Sequence, residues 1–574
     1  MSLVSRELFA ALSALGIGSA TFHRAAAAEV ERLDDDKKEP EKKEPEKPKT
    51  ITAEMVKNAE WVAGITLSDD DRKAVAAALT RSIGQLAAVR KDPLPNSVAP
   101  ALYFKPIESA TPQTGRGTVA APKLDAKKPE SEDDLAFASV ATLGELIRTK
   151  KVSSVELTKL ALARLKKYDP ALLCVVTLTE ELALKQAEAA DKLLAAGQYR
   201  GPLHGIPWGA KDLIAYPGFK TTWGAEHYKG QDLGEAKATV AKKLDDAGAV
   251  LVAKLTLGAL AMGDQWFGGM TRNPWNVKQG SSGSSAGSCS AVAAGLVPFA
   301  IGSETLGSIV SPSTRCGTTG LRPTFGRVSR AGCMTLCWTM DKIGPICRSV
   351  EDAALVFGAI HGADPADPTA VDRPFDWPGK VDLKGLKVGY IEGQRKADER
   401  AELKALKDLG CELVPIKLPQ QEALRIVSTI LNAECTAAFD ELPRGGIRDG
   451  YGAAWRGTFQ QGQFITAVEY IRANRLRTQL MEKMAEVMKT VDVYVGGNDL
   501  QITNLTGHPS VCLPNGLVKG RGENAVETPS ALVFTGQIHG ETTLMAVAHA
   551  YQQATGHHLK RPPMDQVTKA NAGV

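Results

Sequence analysis

The most informative segment of this 574-residue chain is GSSAGSCSAVAAGLVPFAIGSETLGSI, residues Gly283 to Ile309. Two turns rich in glycine and serine, GSSAG and SETLGS, stand on either side of the apolar segment AVAAGLVPFAIG. Runs of glycine and serine usually form flexible linkers. An apolar segment of this length instead predicts the end of a buried helix followed by a strand. We therefore expect both serine turns to belong to a folded domain.

A second motif, GIPWGAKDL from Gly205 to Leu213, supplies a lysine in an apolar setting. A serine hydroxyl is a poor nucleophile at neutral pH and loses its proton to a base as it attacks a carbonyl. A lysine can be that base only when neutral, whereas its reference pKa is about 10.4. Full burial lowers this pKa by roughly 3 to 5 units. The apolar neighbours Ile206, Pro207, Trp208 and Leu213 predict such burial for Lys211.

Together the two motifs resemble the amidase signature family. Its members are serine hydrolases that cleave amide C–N bonds with a serine, a second serine after a cis peptide bond, and a lysine, without histidine or metal. The resemblance implies that Lys211 is the base, Ser284 the bridging serine that relays the proton, and Ser308 the nucleophile. It also implies a cis bond entering Ser284, with Gly283 and Ser285 as supporting neighbours.

The resemblance covers roughly residues 135 to 562. It includes four further pieces of sequence: TRNPWN (Thr271 to Asn276), CGTTGLRPTFGRVSRAG (Cys316 to Gly332), DKIGPICRSVEDAALV (Asp341 to Val356) and TNLTGHPSVCLPNG (Thr503 to Gly516). The fold that it implies is of the α/β class, with one large mixed central sheet covered by helices on both faces. To this fold the chain adds an N-terminal helical extension.

The turn before the nucleophile departs from the pattern TDTGGSIR that is usual in the family, since this chain has SETLGSIV. The resemblance implies an oxyanion hole formed by the backbone N–H groups of Thr305, Leu306, Gly307 and Ser308. Leu306 replaces a glycine and would be strained if that position required a positive φ. Val310 replaces an arginine that pairs with the acid at the position of Glu304. We expect Arg315 to take over this pairing.

The segment GSSAG also fits the G-x-S-x-G nucleophile elbow, with Ser285 as the nucleophile. That motif requires a preceding strand, a following helix and a histidine later in the chain. TRNPWNVKQGSS, which precedes it, contains proline and asparagine and is not expected to form a strand. His508 and His539 could complete such a triad, so this alternative stays open.

Composition limits the classes of function. With 43% hydrophobic residues, the chain can bury a large core. Its net charge is only +4, and no basic stripe with interleaved aromatics marks a nucleic-acid surface. The nine cysteines and nine histidines form no CxxC, zinc-type or HExxH pattern. We therefore expect no metal, no cofactor and no nucleic-acid partner.

The N-terminus predicts export. Arg6 precedes an apolar stretch, and Ala26 to Ala28 fit a signal-peptidase site, so residues 1–28 are predicted to be a signal peptide. Cleavage near Ala28 gives a periplasmic or secreted protein. A cytoplasmic amphipathic arm is the alternative, since Glu7 stands where a twin-arginine signal has its second arginine. The apolar stretch is too short to predict a membrane-spanning helix.

Four further segments follow. Residues 29–50 contain DDDKKEPEKKEPEKPK and predict a disordered tether. Helical periodicity between Thr52 and Ile83, with Ser68 as a cap, predicts a small helical appendage over residues 51–106 that packs on the enzyme. Residues 107–134 are interpreted as a linker and 135–574 as the catalytic domain.

In the catalytic domain strands and helices alternate, which by itself favours a mostly parallel sheet. Residues 419–491 are mainly helical.

Three functions are consistent with these observations. The first is an exported amidase that hydrolyses a small-molecule carboxamide or a peptide amide. The second is the glutaminase subunit of an aminoacyl-tRNA amidotransferase, which shares the signature but works in the cytosol with partner subunits. The third is a catalytically silent binding protein. The predicted signal weighs against the second, and Lys211, Ser284 and Ser308 weigh against the third. A homo-oligomer stays open.

Overall fold

The computed structural model describes residues 50–90, 115–391, 399–496, 499–520 and 526–571. In these residues fifteen strands are numbered along the chain: Val175–Leu178 (β1), Pro207–Lys211 (β2), Val250–Leu255 (β3), Gln265–Trp266 (β4), Gly269–Met270 (β5), Arg272–Asn273 (β6), Asn276–Gly280 (β7), Phe299–Glu304 (β8), Thr319–Arg322 (β9), Lys342–Cys347 (β10), Lys387–Ile391 (β11), Glu412–Ile416 (β12), Val493–Gly496 (β13), Ser510–Lys519 (β14) and Glu527–Gly536 (β15).

Eighteen α-helices occur in the same described ranges. They are Ala53–Ala63 (α1), Asp69–Arg90 (α2), Glu132–Ala136 (α3), Val140–Arg148 (α4), Ser154–Leu172 (α5), Glu180–Ala195 (α6), Thr239–Asp246 (α7), Ala286–Ala293 (α8), Val310–Cys316 (α9), Val350–Ile360 (α10), Ala401–Asp408 (α11), Gln420–Ala438 (α12), Glu441–Arg444 (α13), Ala453–Gly462 (α14), Ala467–Met488 (α15), Leu500–Thr506 (α16), Glu541–Thr555 (α17) and Met564–Asn571 (α18).

Eleven strands form one central sheet in the order β1-β3-β2-β8-β10-β9-β14-β15-β13-β11-β12. The expectation of a mostly parallel sheet is wrong, because only the pairs β2–β3, β2–β8, β11–β12 and β11–β13 are parallel. The other six neighbouring pairs are antiparallel. The large mixed sheet implied by the family resemblance is confirmed. Alternation of strand and helix failed as a guide because β9 and β10 are joined without a helix.

The sheet is covered on both faces. Successive residues of a strand point to opposite faces, and in β8 Ile301 packs in one large apolar cluster while Ala300 packs in another. Strands β2, β3 and β10 are buried along their whole length. The predicted helix end and strand in AVAAGLVPFAIG are α8 and β8, which are likewise buried.

The N-terminal helical extension consists of α1 and α2. Thr52 caps α1, and Ser68 caps α2 by accepting a hydrogen bond from Asp71 N (3.2 Å). Residues 52–574 form one compact unit, in which α2 packs against α14.

Two local expectations differ from the structure. The stretch TRNPWNVKQGSS contains the antiparallel pair β6–β7, although it was expected to lack a strand. A tight reversal at Pro274 and Trp275 explains this, because the proline occupies the turn and the two asparagines flank it as the last residue of β6 and the first of β7. Helix α3 begins at Glu132, inside the predicted linker, because Ser131 caps it by accepting from Asp134 N (3.0 Å).

Several predictions concern residues outside the described ranges. These are the signal peptide of residues 1–28 with cleavage near Ala28, all but the last residue of the tether, and residues 91–114 of the appendage and linker. Among the helices that the structure does describe, none is both long enough and apolar enough to cross a bilayer.

Candidate active site

Lys211 is the last residue of β2, and its side chain is completely buried. The parallel neighbours β3 and β8 enclose it on both sides. Its Nζ contacts three serine hydroxyls, at 2.8 Å from Ser284 Oγ, 3.1 Å from Ser285 Oγ and 2.9 Å from Ser303 Oγ. The lysine therefore ends in a polar pocket made of hydroxyl groups at the edge of an apolar core.

Burial lowers the pKa of Lys211 from its usual 10.5 to about 7, since the ammonium ion loses its hydration. The acids Asp341 and Glu304 act in the opposite direction, but burial outweighs them. A large fraction of Lys211 is therefore neutral near neutral pH, which is the form that can accept a proton.

The peptide bond between Gly283 and Ser284 is cis, as the family resemblance implies. Gly283 has no room for a side chain, because an added Cβ would lie 1.9 Å from the carbonyl oxygen of Gly263. Ser284 itself is buried. The glycine thus allows the backbone at Gly263 to approach and leaves the Ser284 hydroxyl aimed at Lys211.

Ser308 lies in the turn between β8 and α9 and is half-buried. Its backbone oxygen accepts from Ser285 N (3.1 Å), which ties the two serine turns together. Within the described residues its hydroxyl takes part in no hydrogen bond. The expected link from Ser308 to Ser284 is therefore not made in this structure, although the link from Ser284 to Lys211 is.

The turn that leads to Ser308 supplies free backbone donors. The positive φ in this turn, 93°, belongs to Gly307, whereas Leu306 stays outside the left-handed region. The strain considered for Leu306 is therefore absent. In the described part of the chain, the backbone N–H groups of Leu306, Gly307 and Ser308 donate to no protein acceptor, so all three are available to a substrate oxygen.

Glu304 holds this turn against the following helix. Its Oε2 accepts from Ile309 N and Val310 N, each at 2.9 Å, where α9 begins. The expectation that Arg315 pairs with Glu304 is wrong. Arg322 does so instead, with its Nη1 2.8 Å from Glu304 Oε1 and both side chains buried.

The positions of the two arginines explain why Arg322, and not Arg315, pairs with Glu304. Arg315 lies on the exposed side of α9, whereas Arg322 ends the buried strand β9. Burial alone would raise the pKa of Glu304, but Arg322 and the N–H donors lower it to about 2. Glu304 is therefore ionised at all ordinary pH values.

The alternative nucleophile Ser285 is poorly suited to attack. It is completely buried, and its hydroxyl already donates to Ser303 O (3.1 Å) while it accepts from Ser303 N and Lys211 Nζ. A hydroxyl has one proton and two lone pairs, so all of its hydrogen-bonding capacity is used. His508 Nδ1 instead contacts Thr506 Oγ1 (2.7 Å).

His539 does not complete that triad either. No hydrogen bond joins its ring to Ser285 in the described residues, and its backbone N–H donates to Thr324 Oγ1 (3.0 Å). The G-x-S-x-G interpretation therefore has neither a free serine nor a histidine in contact with it.

Sequence reasoning missed three residues at this site. Ser303 is the third hydroxyl around Lys211. Asp341 accepts from Thr305 Oγ1 at 2.6 Å and so anchors the start of the turn that leads to Ser308. Lys342 pairs in register with Glu304 and is buried, which lowers its pKa to about 7. The only sequence signal for the last two was a pair of charged residues directly before the apolar run IGPIC.

Comparison with known proteins assigns the chain to a family. A family model described as Amidase matches residues 156–497. A glutamyl-tRNA(Gln) amidotransferase subunit from Geobacillus stearothermophilus is 34% identical over 488 residues, which cover 74% of this chain and 98% of that protein.

Solved structures agree. The native peptide amidase from Stenotrophomonas maltophilia has a TM-score of 0.65 at 30% identity, covering 74% of this chain and 98% of that chain. An amidase family protein from Bacillus anthracis has a TM-score of 0.64 at 26% identity, covering 75% of this chain and 93% of that chain. The family model matches more than half of the chain, the sequence relative and the solved structures each cover about three quarters of it, and the chain therefore belongs to the amidase family.

Proposed function

We propose that this protein is an amidase that hydrolyses the C–N bond of a carboxamide or peptide amide through an acyl-enzyme on Ser308. Ser284 relays the proton from Ser308 to neutral Lys211. The observation that carries the proposal is the contact of 2.8 Å between the buried Lys211 Nζ and Ser284 Oγ, together with the lowered pKa of Lys211.

The hydrogen-bond pattern leaves Ser284 and Ser303 as possible relays, and the family resemblance favours Ser284. A neutral amine has two N–H groups and one lone pair, so one of the three hydroxyls around Lys211 has to donate to it. Ser285 cannot, because its single proton already goes to Ser303 O. The Ser284 hydroxyl donates to no other group in the described residues and is therefore free to pass its proton to Nζ.

Acylation then follows from these positions. Ser308 Oγ attacks the amide carbonyl as its proton passes to Ser284 Oγ, whose own proton passes to Lys211 Nζ. The oxygen that becomes negative accepts hydrogen bonds from the backbone N–H groups of Leu306, Gly307 and Ser308. When the C–N bond breaks, the same relay returns a proton from Lys211 to the departing nitrogen, which leaves as ammonia or an amine.

In deacylation, water is the nucleophile and Ser308 is the leaving group. A water molecule takes the place of the amine and loses its proton to Lys211 through Ser284, while its oxygen attacks the ester carbon. Collapse of this second intermediate returns the proton to Ser308 Oγ and releases the carboxylic acid. The cycle consumes one water for each amide bond and uses no further reactant.

The second candidate is the glutaminase subunit of an amidotransferase. The 34% identity to a glutamyl-tRNA(Gln) amidotransferase subunit over 98% of that relative's length favours it. That alignment covers 74% of this chain, so about a quarter of the chain has no counterpart in it. We favour the independent amidase because the N-terminal sequence predicts export, away from aminoacylated tRNA.

Export itself is part of the proposal and has its own test. Expression of the full chain in a Gram-negative host, followed by fractionation and N-terminal sequencing, should yield a mature periplasmic protein that begins near residue 29. A protein that keeps residues 1–28 and stays in the cytoplasm would instead support the amidotransferase function.

Activity profiling tests the main proposal. Purified protein is assayed against a panel of primary carboxamides, anilides and peptide amides, with glutamine included, and is labelled with a fluorophosphonate. We expect amide turnover and an adduct on the peptide that contains Ser308. Ser308→Ala should abolish both, whereas Ser285→Ala should still be labelled at Ser308. An adduct on Ser285, or hydrolysis of glutamine alone, would contradict the proposal.

A further inference from the structure

We propose that the helical appendage, α1 and α2, braces the active site by fixing two loops that adjoin Lys211 and the turn of Ser284. We name residues 212–228 the lysine loop, residues 256–264 the serine loop and residues 439–463 the support segment. The proposal rests on the proposed function, because it treats Lys211 and Ser284 as reacting groups. Residues 52–90 are then a positioning element of the enzyme.

The appendage is held to the support segment by charge. The Asp71 carboxylate at the start of α2 is buried, accepts a hydrogen bond from Arg456 and lies 3.7 Å from Arg448 Nη1. Arg444 Nη1 donates to the carbonyl oxygen of Ala63 at the end of α1 (2.8 Å). Three arginines of one short segment therefore meet two neighbouring points of the appendage.

The other side of the support segment holds the two loops by hydrogen bonds. Trp455 Nε1 donates to the carbonyl oxygen of Ala259 in the serine loop (2.9 Å). His227 N of the lysine loop donates to the carbonyl oxygen of Gly450 (2.9 Å). Both contacts involve backbone atoms of the loops, so they fix the path of the chain rather than one side chain.

Aromatic packing reinforces these bonds. Phe459 stacks on Trp455 with 5.2 Å between ring centroids, and on Phe439 with 5.4 Å. Phe439 in turn meets the edge of Trp223 in the lysine loop at 6.0 Å. Aromatic pairs in this distance range are attractive beyond the area that they bury. The support segment and the lysine loop are therefore one packed unit.

Each loop adjoins a reacting group. Asp212 follows Lys211 directly, and its carbonyl oxygen accepts from Trp223 N (3.2 Å). Gly263 of the serine loop is in such close contact with Gly283 that a Cβ there would overlap its carbonyl oxygen. A shift of either loop would move Lys211 or the peptide bond before Ser284.

The backbone of these loops needs such support. Seven non-glycine residues of the described chain have a left-handed φ, and four of them lie in or beside the two loops: Trp223 (51°), Leu260 (47°), Ala261 (62°) and Ser282 (60°). Residues with side chains persist in this conformation only where the surrounding structure enforces it. The hydrogen bond from Leu260 N to Trp223 O (2.9 Å) links the two loops at this place.

Two variants of the full chain test the brace. Asp71→Asn removes the charge that faces Arg456 and Arg448. Trp455→Phe removes the hydrogen bond to Ala259 and keeps a ring on Phe459, so it is the milder change. Asp70→Asn is the matched control, because Asp70 is in the same helical turn but is exposed and, among the described residues, has Lys73 at the surface as its one ionic partner (3.3 Å).

The measurements are hydrogen exchange of the two loops, the rate constant for fluorophosphonate labelling of Ser308 at 25 °C, and Tm. We expect at least tenfold faster exchange in residues 256–264 for both variants, and at least tenfold slower labelling well below Tm. Asp70→Asn should match the wild type in all three.

The outcomes separate the two proposals. If wild-type Ser308 is not labelled, the proposed nucleophile is wrong. The hydrogen-exchange rates of the two loops then decide by themselves whether the appendage braces them. If wild type is labelled, and both variants keep wild-type labelling and loop exchange while only Tm falls, the appendage is merely stabilising and the brace is wrong. If Asp71→Asn does not fold, Arg448→Gln, which weakens the same contact from the support segment, decides by the same criteria.

Discussion

Arg322 Nη1 lies 2.8 Å from Glu304 Oε1, and neither side chain is exposed to solvent. Asn504 Nδ2 donates to the same Glu304 oxygen (2.8 Å), and Arg322 Nη2 also donates to Ser510 Oγ (2.6 Å). This ion pair joins the end of β8 to the end of β9. It therefore fixes the strand end from which the turn of Ser308 departs.

Arg322→Met should be strongly destabilising. It leaves the Glu304 carboxylate buried without its cation, which typically costs about 3 to 5 kcal/mol. Arg315→Met is the control, since Arg315 is exposed and a surface change usually stays within about 0.5 kcal/mol. Urea unfolding measures both. Equal free energies of unfolding for the two variants would show that Arg322 is not the main partner of Glu304.

The rate of amide hydrolysis should follow the ionisation of Lys211. Because the neutral amine is required, kcat/KM should rise with pH through an ionisation near the pKa of about 7. Lys211→Ala should be far slower at neutral pH and less impaired at alkaline pH, where hydroxide partly replaces the base. Ser308→Ala should be inactive at every pH. A Lys211→Ala enzyme with most of its neutral-pH activity would contradict the mechanism.

Stability should depend on pH through the same group. The folded-state pKa of Lys211, about 7, is below its unfolded value of 10.5, so between these values the unfolded chain binds more protons. Stability from this group is therefore absent below pH 7 and develops as pH rises to 10.5. Relative to Lys211→Met, the wild type should gain up to about 1.4 kcal/mol per pH unit in this window. Parallel unfolding curves at pH 7 and 9.5 measure the difference, and an unchanged difference would contradict the lowered pKa.

Gly283→Ala should damage the site. The new methyl group would overlap Gly263 O, so either the serine loop or the bond before Ser284 has to move. We expect a loss of about 1 to 3 kcal/mol in stability and much slower labelling of Ser308. Gly84→Ala in α2 is the control, because nothing lies within 4 Å of its added Cβ and the helix should gain about 0.5 to 1 kcal/mol. Labelling of Gly283→Ala at the wild-type rate would contradict the close contact.

The sequence predicted those parts of the site that depend on local pattern. The burial of Lys211 was expected from its apolar neighbours, and the cis bond before Ser284 and the contact of Ser284 with Lys211 were implied by the family resemblance. The partner of Glu304 could not be predicted in this way, because Arg322 meets it across two strands that are not adjacent in the sheet. The prediction of a mostly parallel sheet failed for a related reason. The alternation of strands and helices along the chain does not show which strands become neighbours in the sheet.

The role of the support segment was also beyond sequence reasoning. Residues 419–491 were expected to be mainly helical, but that expectation could not indicate that Trp455 bonds to a loop almost two hundred residues earlier. Such pairings depend on how distant elements pack, and a single sequence carries no signal for them.

Solvent reaches Ser308 but not Lys211, and this difference has a practical consequence. Amine-acylating reagents such as succinimidyl esters should modify the surface lysines of the folded protein and leave Lys211 unmodified. Acylation of Lys211 would then report transient opening of the core. Peptide mapping after brief exposure to such a reagent therefore measures how often the core opens.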